Sequence, residues 1–501
     1  MAREAGKTVG EADPEISEAI DFACYYAQEA ARLEQLAAEE GTQFVPDRVV
    51  LVTPPWNFPV AVPMGGVLAA LAAGSAAIMK PAPQTQLCAQ VAMQAVHEGL
   101  RAHGYPETIA QIVAVDEDEA GRTLLAHPAV DTVILTGAYS TAQLFTSWRV
   151  NRERGPRVLA ETSGKNALII TPSADVDLAV KDAVHSAFGH AGQKCSAASL
   201  VILVGSVAQS ERFRRQLLDA VESLNVDWPT NLAATVGPLI APADGKLQRA
   251  LTTLDDGEQW LVAPQQLDDA GRLWRPGVKE GVQPGSEFHQ TEYFGPVMGI
   301  MAAESLEQAI EWQNSTPFGL TGGIHSLDPA EIAQWRESVE VGNAYVNRTI
   351  TGAIVRRQPF GGWKNSSVGP GAKAGGPNYV AQLGQWQQVN GPKQLGDIGP
   401  RVGEFLDATA PWLGPEERDW LRESARSDAH ARDVYRTPVD VSGLRSETNV
   451  FRYRPGPRMT IRAGENTPLV QVLRLSAAAL AAGVDAGVSV PPSLFAALPE
   501  D

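Results

Sequence analysis

Cysteine is scarce, with Cys24, Cys88 and Cys195 as the three instances in 501 residues, all far apart. Neither a disulfide framework nor a CxxC metal or dithiol site can be assembled from them, and such usage suits a reducing, cytoplasmic compartment. Basic runs are missing too. Lys and Arg number 41 against 58 Asp and Glu, a net charge of -17, which excludes a duplex nucleic-acid binder, because neutralising phosphates takes clustered positive charge. An anionic membrane surface is disfavoured on the same ground. The first residues, MAREAGKTVGEADPEI, hold no apolar core of a signal peptide. There is no HExxH among the eight histidines, and His185, His190 and Cys195, five apart, do not share a helix face, so no metal site is expected. The phosphate loop GxxxxGK[ST] is absent. The one GxGxx[GA] match, at Gly369, Gly371 and Ala374, follows a glycine-rich loop instead of a strand and lacks the context of a dinucleotide fingerprint. Only one run is long and uncharged, 59–79, and it is dominated by Ala and Gly and ends at Lys80. It reads as a helix of small residues packed against backbone in an α/β core, not as a transmembrane segment.

What is present is a globular composition, 44% hydrophobic and 20% charged, long enough for several domains. A helical pattern covers 13–40. Apolar strands at 48–53, 76–79, 109–115 and 132–135 then alternate with helices at 62–73, 85–103 and 119–127, the signature of a parallel sheet covered on both faces. Short strands at 158–160 and 167–170 and a helix at 176–187 lead into GHAGQKCSA. A second α/β region follows over 200–347, with VILV, a helix at 211–224, VMGIM and a helix at 306–314. Glycine-rich 351–376 is expected to lack regular elements. Beyond 391 the composition shifts to Arg, Asp and Pro, with an Ala-rich helix at 472–482.

Three residues carry candidate chemistry. Cys195, in AGQKCSAAS, sits among small residues where a thiol can be approached, and where Lys194 and backbone amides would lower its pKa; an inert buried cysteine would look the same locally. Glu161, in LAETSGKNALI, ends an apolar strand, the usual edge for a site in an open parallel sheet, although a solvated strand-end acid is the plain alternative. Asn57, in PPWNFPVAVP, is an amide between aromatics after another apolar strand, equally readable as a turn cap.

Taken in order, PWNFP, MKPAPQT, LTGAYSTA, ETSGKNA, GQKCSA, EYFGPV and QPFGG resemble the aldehyde dehydrogenase superfamily over 2–388. NRTITGAIVRRQPFGG and AKAGGPNY look like the enzymes that oxidise glutamate γ-semialdehyde, the 1-pyrroline-5-carboxylate dehydrogenases, and SETNVFRYRP resembles the region after the dehydrogenase in bifunctional proline utilisation A proteins. The resemblance implies an α/β fold with a Rossmann-type cofactor domain at 1–161, a catalytic domain at 162–347, a substrate-anchor loop and return at 348–388, and a C-terminal extension of unknown role at 389–501. It implies Cys195 as nucleophile, Glu161 as general base and Asn57 as oxyanion donor. Trp56, Lys80, Gly137, Glu292 and Phe294 match cofactor positions, for NAD with NADP left open. Ser196 and the amides of Gly375 and Gly376 match the anchor of the substrate's amino-acid head. A small aldehyde substrate and a proline dehydrogenase partner or upstream domain are further implications.

The sequence also departs from the family. Elements that family members carry before the position of Met1 are missing from it, so a partial cofactor domain with an unpaired sheet edge is expected. The stretch from Tyr26 to Trp56 is short for the usual dimer-forming hairpin, Ala138 stands for a common serine and Pro83 for a frequent acid. An impaired fragment of such an enzyme and a cysteine-dependent esterase remain alternatives to the dehydrogenase.

Overall fold

A computed structural model describes residues 1–148, 155–390, 394–456 and 458–495. The chain divides into two compact units, one of residues 1–31 and 46–385, the other of 32–45 and 386–501.

Two large sheets organise the first unit, beside two short two-stranded ones. In the six-stranded sheet the order is Ser367–Val368, Arg157–Glu161, Thr132–Thr136, Val49–Thr53, Ala76–Met79, Ala110–Ile112. All neighbours are parallel except Ser367–Val368, which runs antiparallel with Ser367 opposite Glu161. The chain builds outward from Val49–Thr53 in one direction, then crosses to its other side at Thr132–Thr136. The crevice beyond the carboxyl ends of those two strands is the switch point at which open α/β sheets bind ligands. Strand 109–115 is shorter than its apolar pattern suggests, with only Ala110–Ile112 in the sheet. The uncharged run forms the helix Ala61–Ala73 and the strand Ala76–Met79. A Cβ on Gly66 would stand 2.6 Å from Val52 Cγ1, so glycine is what lets this helix lie against the strand. No helix among the described residues is long and apolar enough to cross a membrane.

The seven-stranded sheet has the order Asn343–Val346, Thr321–His325, Asn166–Ile170, Ala198–Val204, Val297–Ala303, Gly277–Glu280, Gln259–Val262, antiparallel only at the last pair. Its central strands are largely apolar and buried except at Ser199 and Ala302, as NALII and LVILV predict for a sheet covered on both faces. The glycine-rich stretch is not wholly irregular, since Trp363–Lys364 and Ser367–Val368 are short strands; the second is the antiparallel edge of the six-stranded sheet.

In the second unit the helices Pro400–Thr409, Pro415–Arg436 and Leu469–Ala482 enclose Val402, Leu406, Leu421, Ala425, Leu473 and Ala477. Parallel strands Met459–Arg462 and Ala486–Ser489 flank the last helix. Residues 32–45 group here and not with the sequence on either side of them, because Thr42–Pro46 and Gly384–Gln388 form a two-stranded sheet of their own.

Candidate active site

A cleft of about 830 Å³ opens at the switch point of the first unit. Trp56, Asn57, Lys80, Gly137, Glu161, Cys195, Ser196, Glu292 and Phe294 all line it. Gly375 and Gly376 do not; from their loop Gly371, Ala372 and Ala374 face the cleft instead.

Cys195 follows the helix Val176–Phe188 after a tight reversal in which His190, Ala191 and Gly192 take φ of 53°, 54° and 70°. At Gly192 a Cβ would lie 2.2 Å from Gly295 O, so the reversal needs glycine to seat against the neighbouring backbone. Beneath the nucleophile loop, Asn166 Nδ2 donates to the carbonyls of Cys195 and Ala197 at 2.7 and 3.0 Å, while its Oδ1 accepts from Thr321 N at 3.0 Å. Burial pushes the Cys195 thiol up to about 12, Glu292 and Glu161 push the same way, and the backbone N–H groups of Ser196 and Cys195 oppose them more weakly. Lys194 gives no help, correcting the expectation from sequence: its Nζ is 2.6 Å from Glu11 Oε2.

Asn57 Nδ2 donates to Gln193 O at 2.9 Å across 136 residues of sequence. That bond fixes the amide beside the nucleophile loop and leaves a second amide hydrogen for the cleft. Its backbone carbonyl accepts from the fully buried Lys7 Nζ at 2.9 Å, and Lys7 pairs with Glu15 at 2.6 Å. Glu15 Oε1 in turn accepts from Val60 N and Ala61 N at 2.7 and 3.2 Å, holding the start of the helix Ala61–Ala73. Glu11 and Glu15, one helical turn apart, thus tie the loops of Cys195 and Asn57 to a single helix, Val9–Glu40.

Glu161, at the end of its strand, accepts from Gly362 N at 2.8 Å and from Ser367 Oγ at 3.4 Å. Burial raises its carboxyl above the usual range, with the Gly362 N–H and the Lys373 charge pulling it back. Gly137 N donates to Glu161 O at 3.1 Å, so this amide closes the strand end and is not left over for a ligand. Glu292 Oε1 accepts from Gly164 N at 2.9 Å, and burial raises this carboxyl as well. Trp56 and Phe294 meet edge to face at 5.7 Å, with Phe294 held at φ 57°. Lys80 Nζ lies 3.5 Å from Glu117 Oε1, and Ser196 is buried with its carbonyl accepting from Thr321 Oγ1 at 3.2 Å.

A sequence model of the aldehyde dehydrogenase family matches residues 1–389. The chain belongs to the aldehyde dehydrogenase family. Among related proteins, the 1-pyrroline-5-carboxylate dehydrogenase of Geobacillus thermodenitrificans is 33% identical over 394 residues, covering 76% of this chain and 75% of that one. The structure of proline utilization A from Corynebacterium freiburgense is 54% identical with a TM-score of 0.89; it covers 97% of this chain, which spans about half (48%) of that one. A Thermus 1-pyrroline-5-carboxylate dehydrogenase with bound NAD is 32% identical with a TM-score of 0.69, covering 77% of this chain and 75% of that one.

Within this aldehyde dehydrogenase the AKAGG loop differs from its sequence-based reading. Its amides are not free: Gly375 N donates to Tyr26 Oη at 2.9 Å and Gly376 N to Lys373 O at 3.1 Å. A Cβ at Gly376 would strike Pro359 Cβ at 2.5 Å, so that glycine serves packing. One group in the cleft and one behind it escaped sequence reading. Glu18 lines the cleft with its carboxyl pushed up to about 7 by burial and by Glu15. Lys373 sits behind Glu161 on the Gly361 side. An acid on an amphipathic helix and a lysine in a glycine-rich loop carry no local signal that separates them from solvated charges.

Proposed function

We propose that this chain oxidises L-glutamate γ-semialdehyde to L-glutamate, with NAD as the hydride acceptor. What carries the reading is that Cys195, Glu161 and Asn57, distant in sequence, converge on one cleft in a family member whose relatives bear that activity in their names. The cleft suits a dinucleotide: it lies at a strand-end switch point, and Lys80, Glu292 and the Trp56–Phe294 pair supply charge, an acceptor and an aromatic surface. NAD, when bound, takes up the hydride that leaves the aldehyde carbon.

The chain's own residues do the rest. Cys195 gives its proton to solvent water and its sulfur adds to the aldehyde carbon, and the oxygen that becomes negative is met by the free amide hydrogen of Asn57 and the backbone N–H of Cys195. Hydride departure leaves a thioester on Cys195. Glu161 removes a proton from water as the water attacks the thioester carbon; the C–S bond breaks, the acid leaves and the thiolate is restored. Glu18 complements the substrate's ammonium, and the Ser196 hydroxyl its carboxylate. A proline dehydrogenase, as a partner or as a further region, supplies the precursor, and the reaction runs in a reducing, cytoplasmic compartment, in keeping with the low cysteine content.

The test is reduced-nicotinamide absorbance on mixing the purified chain with NAD and 1-pyrroline-5-carboxylate, compared with propionaldehyde. Preference for the former by orders of magnitude in kcat/KM supports the reading. Equal efficiency refutes the substrate assignment and spares the family.

A further inference from the structure

Lys373 donates from Nζ to three uncharged oxygens: Gly361 O at 2.9 Å, Asn343 Oδ1 at 3.3 Å and Gly342 O. The carbonyl of Gly361 belongs to the same peptide group as the N–H of Gly362, and that N–H donates to Glu161 Oε2 at 2.8 Å. One planar peptide therefore has an ammonium on its oxygen and a carboxylate on its hydrogen. We infer that Lys373 is a positioning residue for Glu161, acting through the Gly361–Gly362 peptide to hold the carboxylate ready as a base.

The peptide is fixed from several sides. Asn343, opening the strand Asn343–Val346, accepts from Gly361 N at 3.2 Å and donates to Pro359 O at 3.0 Å. Phe360 and Ala374 exchange two backbone hydrogen bonds of 2.9 Å, tying the loop of Lys373 to the loop of the peptide. A Cβ on Gly361 would lie 2.9 Å from Lys373 Cγ and 3.0 Å from Glu161 Oε1, so the glycine is sandwiched between the lysine and the acid. A cation on a carbonyl oxygen draws electron density through the amide and makes its N–H a stronger donor, and a charged acceptor strengthens the bond further. The ammonium's acceptors are neutral, so its charge remains to act on Glu161. Other groups facing Glu161 are the Ser367 hydroxyl from the adjoining strand, the Cys195 thiol and the Tyr379 phenol, with Glu292 beyond Cys195. Lys373 is the one cation among these, and it favours the deprotonated carboxylate that withdrawal from water disfavours.

This inference rests on Glu161 being the base of thioester hydrolysis, and the experiment separates the two. Hydride transfer is followed in a single turnover by stopped-flow absorbance, and decay of the acyl-enzyme by quenching and intact-mass measurement, across pH, for the full chain and for Glu161→Gln, Lys373→Met and Lys373→Arg. Lys373→Met is expected to leave the hydride step near its original rate and to slow acyl-enzyme decay about tenfold at neutral pH, with the rising limb of the decay profile displaced upward by about one pH unit. Lys373→Arg, which keeps the charge and donors, restores most of that limb. An unmoved limb in Lys373→Met, or hydride and decay steps reduced together in both lysine variants, overturns the positioning role. Undiminished decay in Glu161→Gln overturns the base assignment itself.

Discussion

Iodoacetamide is expected to modify Cys195 very slowly at neutral pH, at a rate that climbs with pH well past 9. Burial with Glu292 and Glu161 pushes this thiol up to about 12 from an ordinary value of 9.0. At pH 7 the thiolate fraction is then roughly 10⁻⁵, about a thousandfold below that of an unperturbed thiol, and since the thiolate is the nucleophile the alkylation rate follows it. Restricted access lowers the rate uniformly but does not change its pH dependence, so the profile is the decisive readout: about a tenfold gain per unit between pH 7 and 10. Burial is the largest cause, so Glu292→Gln is expected to recover only part of the deficit, about tenfold at fixed pH. The assay is peptide mass spectrometry after timed labelling, with the exposed Cys24 as an internal reference for the reagent. A Cys195 labelling profile that levels off below pH 9, or labelling faster than Cys24 at pH 7, refutes the argument.

Cys195→Ala is expected to abolish aldehyde oxidation while NAD still quenches tryptophan fluorescence; persistent turnover would remove the thiol from the mechanism. Asn57→Ala should lower kcat by roughly 10²- to 10³-fold with little change in NAD affinity, as for loss of one oxyanion donor; normal activity per folded molecule, judged by circular dichroism, would reduce Asn57 to a brace for Gln193. Lys7→Met removes the buried partner of Glu15 and strands the Asn57 carbonyl, so urea denaturation should show a loss of about 3–5 kcal/mol. Lys7→Met with Glu15→Gln should regain part of it, and a single variant within about 1 kcal/mol of the parent would show that the pair carries little.

Much of the fold and the site is legible in the sequence for local reasons. Runs such as VVLVT and VILV cannot be exposed, and their alternation with helical segments leaves few arrangements besides parallel sheets. The helix 306–314 and the strand 76–79 fall where their patterns place them. PWNFP, ETSGKNA and GQKCSA are short ordered motifs that single out Asn57, Glu161 and Cys195, and these three residues do line one cleft.

Other features depend on partners far along the chain. Lys194 adjoins the nucleophile in sequence, yet Glu11 takes its charge. The glycine amides at 375 and 376 look available until Tyr26, 349 residues from Gly375, and the turn at Lys373 claim them. Glu161 is held by Gly362 across 201 residues, and that peptide by Lys373. Residues 32–45 leave their neighbours for the second unit because their strand partner lies at 384–388. The sequence alone determined which chemical groups were available and which segments had to be buried, since both follow from side-chain type and periodicity. Only the tertiary structure decided which donor meets which acceptor, because a buried polar group must be satisfied by whatever the packed chain brings within about 3 Å, however remote in sequence.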